Sequence, residues 1–379
     1  MKILLLGEYS RLHSSLKEGL VKLGHEVTIV SSGDGMKQFK TDINFNSKIK
    51  ANFILNKLNS LCIRFFNIDC IKLENAHRFK KLLPNLKGFD VVQLINEDAL
   101  FIKPNKQINL LKQLISQNKK LYVLCCGDDF TTVNYYLNEK VKYSILTPYL
   151  KDKSLKDRFV FSLKYTTEPY KKLHEFVKSK SYGTIASDLD YHLPMLEEPE
   201  YLGLIPNPIN IDKINFVELK TGTKINIFLG INTHSKIKKG VIFFEKALSI
   251  IQDKYPEKVT IKITENLPYS DYIKIYNEAH ILLDQVYAYD QGYNALEAMA
   301  KGKVVFTGAE QEWLDYYNLK EDTIAINALP DVDYLVKKLE WLILNPEEIN
   351  NISKNARVFI EREHDYKTSA KKYLDVWTN

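Results

Sequence analysis

The stretch from His280 to Gly308 leaves this chain few architectures. Ile281 to Leu283 is an apolar run too short for a helix and suits a buried parallel strand. Tyr293 to Ala300 reads as a helix, because Ala295, Leu296, Ala298, Met299 and Ala300 are all good helix formers. Gly302 closes it as a C-cap residue, and Val304 to Phe306 supplies the next strand. The polar loop before the helix ends in Asp290 and Gly292. A helix that starts in such a loop points unpaired backbone N–H groups outward and can cradle a phosphate. Glu297 lies one turn into the helix, too far in to cap it. From there it can accept paired hydrogen bonds from the hydroxyls of a sugar whose phosphates sit at the helix start.

Length and composition are those of a globular protein. The 379 residues predict two domains, and 45% hydrophobic with 26% charged residues is ordinary. No apolar run reaches the roughly eighteen residues of a membrane-spanning helix. Met1 to Gly7 has too short an apolar part for a signal peptide and reads as a buried first strand. Cys62, Cys70, Cys125 and Cys126 show no metal-ligand spacing, so a reducing cytoplasm is expected. Charge is uneven. Residues 1–200 hold 31 lysines and arginines against 22 acidic residues, while residues 201–379 hold 22 against 25. A basic first half suits an anionic partner or reflects a lysine-rich surface in general.

At the amino end, Ile3 to Leu6 (strand), Ser14 to Leu23 (amphipathic helix closed by Gly24) and Val27 to Val30 (strand) form a βαβ unit. Such a unit opens a doubly wound sheet that binds ligands at the carboxyl ends of its strands. That makes Gly7 to Arg11 a candidate site, although the dinucleotide fingerprint is absent. His13, at the helix start, is expected to be solvated. Residues 48–66 interleave Ile49, Phe53, Ile54, Leu58, Leu61, Phe65 and Phe66 with Lys48, Lys50, Lys57 and Arg64. This basic amphipathic pattern, with a break near Asn59-Ser60, predicts a helix packed on the first sheet with its basic face in water. Its alternative is an anionic membrane interface. Asp90 to Ile95 and Leu121 to Cys126 are strands ending in Asn96-Glu97-Asp98 and Gly127-Asp128-Asp129, with a helix at Gln107 to Gln117 between them. Asp128 contacts a ligand or caps the next helix. The prolines at 194, 199, 206 and 208 mark a connector, with a boundary near Leu202. Beyond it come strands at Ile225 to Leu229 and Val259 to Thr264. They are followed by the loops Gly230 to Gly240 and Glu265 to Pro268.

The stretch from Gly292 to Gly302 resembles the donor-site signature of glycosyltransferases of the GT-B fold, family four in particular, through Gly292, Leu296, Glu297, Ala298, Met299, Ala300 and Gly302. Lys239-Gly240 at a helix start resembles the same family. The resemblance implies an α/β chain of two Rossmann-like domains facing across a cleft. An acceptor domain would span residues 1–202 and a donor domain residues 203–379, with the last helix (about 360–379) packing back on the first. It implies that Glu297 binds the ribose. Lys239, Lys236 and the N–H groups of Gly292, Tyr293 and Asn294 would hold the diphosphate. The family's first glutamate is replaced by Tyr289, with Asp290 beside it, and both would face the donor sugar. Gly7 and Glu265 would border the donor, and Glu8 and Asp128 the acceptor. A cation near the leaving diphosphate lowers the barrier as negative charge develops there. A lysine at 236 does so with less geometric control than the family's arginine.

The reaction implied is retaining transfer of a sugar from a UDP- or GDP-sugar to a glycan or lipid-linked acceptor, in bacterial surface polysaccharide or glycolipid synthesis. The nucleotide sugar is the co-substrate, with neither metal nor further cofactor and no nucleic-acid partner. The chain would work in the cytoplasm or at the inner face of the membrane. Two alternatives remain open: a catalytically silent GT-B subunit that scaffolds an active transferase, and a nucleotide-sugar 2-epimerase.

Overall fold

The computed structural model describes residues 1–33, 41–218 and 224–378. The chain divides into two compact units. The first comprises Met1–Asn134, Val160–Pro208 and Tyr366–Asn379, and the second Tyr135–Phe159 and Ile209–Asp365.

The first unit is built on a parallel sheet of β1 (Lys2–Leu6), β2 (Glu26–Ser31), β3 (Ile43–Asn44), β4 (Val91–Leu94), β5 (Lys120–Cys125), β6 (Thr184–Ala186) and β7 (Tyr201–Leu204). Their spatial order is β3-β2-β1-β4-β5-β6-β7. Ile3 to Leu6 are wholly buried, as a central parallel strand covered on both faces requires. Leu5 pairs with Ile29 on one side and Gln93 on the other. The order reverses between β1 and β4, and there the chain has no room for a side chain. A Cβ on Gly7 (φ +92°) would lie 2.1 Å from Ile95 Cγ2. The closing helix Tyr366–Thr378 packs as tightly on the helix Leu12–Lys22, where a Cβ on Gly19 would meet the Tyr366 carbonyl at 2.3 Å.

Three expectations are corrected here. His13 is not solvated but fully buried. Its Nδ1–H donates to the Gly7 carbonyl at 2.8 Å, which leaves Nε2 to accept from the Gln93 amide at 3.3 Å. Burial pushes its pKa down to about 4, against the upward pull of the Gly7 carbonyl. Asp128 does not cap the following helix. Asp129 does, accepting the Thr132 N–H at 2.7 Å, while Asp128 takes the Ser162 hydroxyl. Finally, the basic helix is unbroken at Asn59-Ser60. It runs Phe53–Phe66, separated at Asn52 from a short turn of helix Lys48–Ala51. Its apolar residues are exposed rather than packed on the sheet. Local chemistry sets this helix: Asn52 Oδ1 accepts from the N–H groups of Ile54 and Leu55, and left-handed Asn67 ends it.

The second unit carries β8 (Ile225–Ile231), β9 (Val259–Glu265), β10 (Ile281–Leu283), β11 (Val304–Thr307) and β12 (Ile326–Asn327) in the order β12-β11-β10-β8-β9, all parallel. Residues 135–159 belong to this unit although they lie early in the chain. The Lys142 ammonium and Tyr143 hydroxyl bind the buried Glu310 carboxylate. Among the described residues, no helix is long and apolar enough to cross a membrane.

Candidate functional site

In the second sheet the strand order reverses between β8 and β10, and their carboxyl-end loops therefore diverge to leave a crevice. The loop after β8 ends at Gly240, which starts the helix Val241–Lys254 in the left-handed region (φ +63°). A Cβ there would strike Val286 Cγ2 at 2.3 Å, so only glycine lets the two loops close this tightly. The close approach puts Lys239 against the first residue after β10. Lys239 Nζ lies 2.8 Å from Asp284 Oδ1, with the carboxylate side chain 3% exposed and the lysine 34%. The Val286 N–H donates to the Lys239 carbonyl and fixes the same contact through the backbone.

The helix Tyr293–Ala300 begins beside this pair. Asn294, in its first turn, donates from Nδ2 to Asp284 Oδ1 at 3.4 Å. Two tyrosines hold Asn294: Tyr272 donates its hydroxyl to the side-chain oxygen at 3.0 Å, and Tyr276 donates to the carbonyl at 2.9 Å. The N-cap residue is Gly292, which has no side chain to satisfy the first N–H groups of the helix, and a Cβ built on it would meet open space. The helix start thus sets a positive dipole end beside a lysine, which together suit a phosphate. Glu297 is half-buried one turn along the same helix.

Lys236 and Glu265 form a second pair at 3.3 Å, and Lys236 also reaches Glu245 at 2.7 Å. The Glu245 hydrogen bond, followed by that of Glu265, raises the pKa of Lys236 and keeps it charged. The loops after β8 and β9 are further joined by Asn266 Nδ2, which donates to Thr233 Oγ1 at 2.8 Å.

Tyr289 and Asp290 lie in the buried arch between β10 and the helix Tyr293–Ala300. Tyr289 directs its hydroxyl to the segment 135–159, accepting the Lys142 N–H at 2.9 Å, and its ring lies 5.6 Å from that of Tyr143. Asp290 accepts the Gln291 N–H at 2.6 Å. Gly308 backs the arch so closely that a Cβ would lie 2.5 Å from the Asp290 carbonyl. Glu310 anchors the segment facing Tyr289. Burial favours its neutral form, but hydrogen bonds from Tyr143, Asn327 and Lys142 outweigh this and lower its pKa.

The structure therefore gathers Lys239, Gly292, Tyr293, Asn294 and Glu297 at one end of the second sheet, and separately pairs Lys236 with Glu265. Gly7, Glu8 and Asp128 lie in the first unit. Both Glu8 oxygens are engaged at the start of the helix Leu12–Lys22, by the N–H groups of His13 (3.3 Å) and Ser14 (2.8 Å) and by the Ser14 hydroxyl. Sequence reasoning missed Asp284, Tyr272 and Tyr276. Asp284 carried a usable signal as the first polar residue after a buried strand. The tyrosines carried none, since any helix in the unit would tolerate them.

Residues 234–375 match the family model described as "Glycosyl transferase-like". No curated protein matches the chain by sequence. Among solved structures, sucrose-phosphate synthase from Thermosynechococcus elongatus is similar, with TM-score 0.63 and 13% identity over 100% of this chain and 98% of that one. Anabaena HepE, solved with UDP and glucose, gives 0.60 and 11% over 100% and 99%. S. aureus MnaA, solved with UDP, gives 0.54 and 11% over 100% and 98%. Together with the two parallel sheets, these likenesses identify the fold as that of the α/β GT-B proteins, with two Rossmann-like domains, and the matched part of the second unit as glycosyltransferase-like.

Proposed function

We propose that this protein is a glycosyltransferase that moves a sugar from a nucleotide diphosphate sugar to an acceptor hydroxyl, with retention and without a metal ion. The observation that carries the reading is the meeting of Lys239 with Asp284 and Asn294 at the start of the helix Tyr293–Ala300, whose N-cap residue is Gly292. The similar structures solved with UDP and with UDP-glucose support a uridine nucleotide as donor.

The diphosphate would lie against the first N–H groups of that helix and Lys239, and the ribose against Glu297. As the bond between the sugar's anomeric carbon and the diphosphate oxygen breaks, the electron pair stays with the diphosphate. Lys239 and the helix N–H groups stabilise the charge that develops there. The acceptor oxygen bonds to the anomeric carbon on the face the diphosphate leaves, and its proton passes to the leaving oxygen, so no separate protein base is required. Asp284 orients Lys239 and, as a buried carboxylate, is itself stabilised by it. The acceptor is proposed to be a glycan or lipid-linked sugar, a reading the basic charge of residues 1–200 supports. Asp128, at the carboxyl end of β5, is the acceptor-side residue proposed in the first unit.

Tyr289 favours a second reading, a nucleotide-binding subunit without turnover. It stands where the resembled family has a glutamate, and its hydroxyl is already bound to Lys142. Calorimetry with UDP and GDP tests the site, and a transfer assay with UDP- and GDP-sugars, with and without EDTA, tests the reaction. Saturable UDP binding with EDTA-insensitive sugar transfer supports the transferase. Binding with no turnover in the presence of acceptor supports the silent subunit, and epimerisation of the donor alone would replace both.

A further inference from the structure

The helix Phe53–Phe66 is amphipathic in the wrong sense for a soluble protein. At about 100° per residue, Leu61, Ile54, Phe65, Leu58, Cys62, Leu55 and Phe66 fall within an arc of about 140°, and Asn56, Asn59, Ser60, Lys57 and Arg64 lie outside it. An ordinary surface helix buries the apolar arc. Here the buried residue is Asn59, at the edge of the arc beside Phe66, whose Oδ1 accepts the Cys70 N–H at 2.7 Å and ties the helix to the next one. The apolar side faces outward: Phe65 is 68% and Phe66 71% exposed, and Ile54, Leu55, Leu58 and Leu61 are exposed with them. Phe53 and Ile63, which fall among the polar residues, are exposed as well, Phe53 to 82%. The helix is nevertheless well specified, with Asn52 capping one end and Asn67 closing the other. An outward apolar face of this extent marks a surface that something covers.

Charge selects the occupant. From Ile43 to Ile68 the sequence has no acidic residue, and Lys48, Lys50, Lys57 and Arg64 are basic. A second copy seated face to face would set these cations against their own equivalents. An anionic bilayer meets both properties: phenylalanine, leucine and isoleucine enter the acyl boundary while long basic side chains reach back to the headgroups. We propose that this helix lies in the interface of an anionic lipid membrane, its apolar face inserted, and holds the first unit at that surface. The proposal is independent of the donor chemistry, because membrane binding is read without nucleotide.

The full-length protein is sedimented with vesicles of phosphatidylglycerol and phosphatidylcholine, and with phosphatidylcholine alone. The parent is expected to pellet with the anionic vesicles and to be released by high salt. Phe65→Ser/Phe66→Ser should reduce binding at least tenfold with an unchanged melting temperature, since both side chains are exposed. Lys57→Gln/Arg64→Gln should remove the preference for anionic lipid. Phe65→Trp, as an independent readout, should shift its emission to the blue when anionic vesicles are added. A parent that stays in the supernatant, or a serine variant that pellets as the parent does, overturns the proposal. So does a parent that is dimeric by velocity sedimentation, becomes monomeric with the serine pair, and ignores vesicles: the helix face is then a contact between copies.

Discussion

Replacing Lys239 by methionine separates what the lysine does for the fold from what it does for a ligand. The side chain keeps its length and loses its charge. In the parent, Nζ lies 2.8 Å from a carboxylate that is 3% exposed, and the remaining hydrogen bond given to that oxygen, from Asn294, is long at 3.4 Å. Breaking a fully buried ion pair by removing one partner costs about 3–5 kcal/mol. Lys239 is one-third exposed, so water can reach the vacated position and the cost to stability falls to roughly 1–3 kcal/mol. For the ligand the lysine is a charge-assisted hydrogen-bond donor worth about 1.5–3 kcal/mol, which is roughly a ten- to hundredfold rise in the Kd for UDP. Adding Asp284→Asn removes the stranded carboxylate. The double variant should recover most of the lost stability and none of the lost affinity. Thermal melting and UDP calorimetry on the parent, both single variants and the double variant read the two effects independently. If Lys239→Met lowers the melting temperature but binds UDP as tightly as the parent, Lys239 is a structural partner of Asp284 and the phosphate site is elsewhere.

Glu297→Ala should weaken UDP binding by about 1.5–3 kcal/mol with little change in stability, and unchanged affinity in calorimetry would remove Glu297 from the site. Gly240→Ala should destabilise by roughly 1–3 kcal/mol and weaken UDP binding as well, because its Cβ would push Val286 off the Lys239 loop; a melting temperature equal to the parent's would refute that account. His13 makes stability depend on pH with a defined sign. Its folded pKa of about 4 lies below the ordinary 6.5, so the unfolded chain binds the proton more tightly. Its contribution is therefore fully present above pH 6.5 and is lost progressively as pH falls towards 4, by about 3 kcal/mol in all. His13→Asn, which keeps a donor for the Gly7 carbonyl, should flatten the stability profile within that window, and urea titrations between pH 4 and 7 measure it.

Local physics made much of the chain legible. Short apolar runs gave β1, β4, β5, β8, β10 and β11 to within about two residues, since a strand buried on both faces is dominated by apolar residues; the edge strand β9 was read as closely from its β-branched residues Val259, Thr260, Ile261, Ile263 and Thr264. The helix Tyr293–Ala300 was readable to the residue, because glycines at 292 and 302 bound it where its apolar period stops. His13 and the helix Phe53–Phe66 were misread for one shared reason. Periodicity says which residues share a face, but not what that face meets. His13 meets Gly7 and Gln93, and Gln93 lies eighty residues away. The apolar arc of Phe53–Phe66 is the pattern that buries a helix in most proteins, and only the exposure of its side chains in the folded chain shows that it points outward.

The sequence by itself determined a parallel α/β chain, the helix Tyr293–Ala300 with glycine at its start and Glu297 one turn in, and a lysine-glycine pair ahead of another helix. Tertiary structure decided which of these meet. Residues 239 and 284 are neighbours because the strand order reverses between β8 and β10, which sets the loops after those two strands side by side, and because a left-handed glycine at 240 lets them close to contact. Strand order is fixed by which faces pack on which helices across the whole unit. That is a property of the assembled core and is written in no single stretch of the chain.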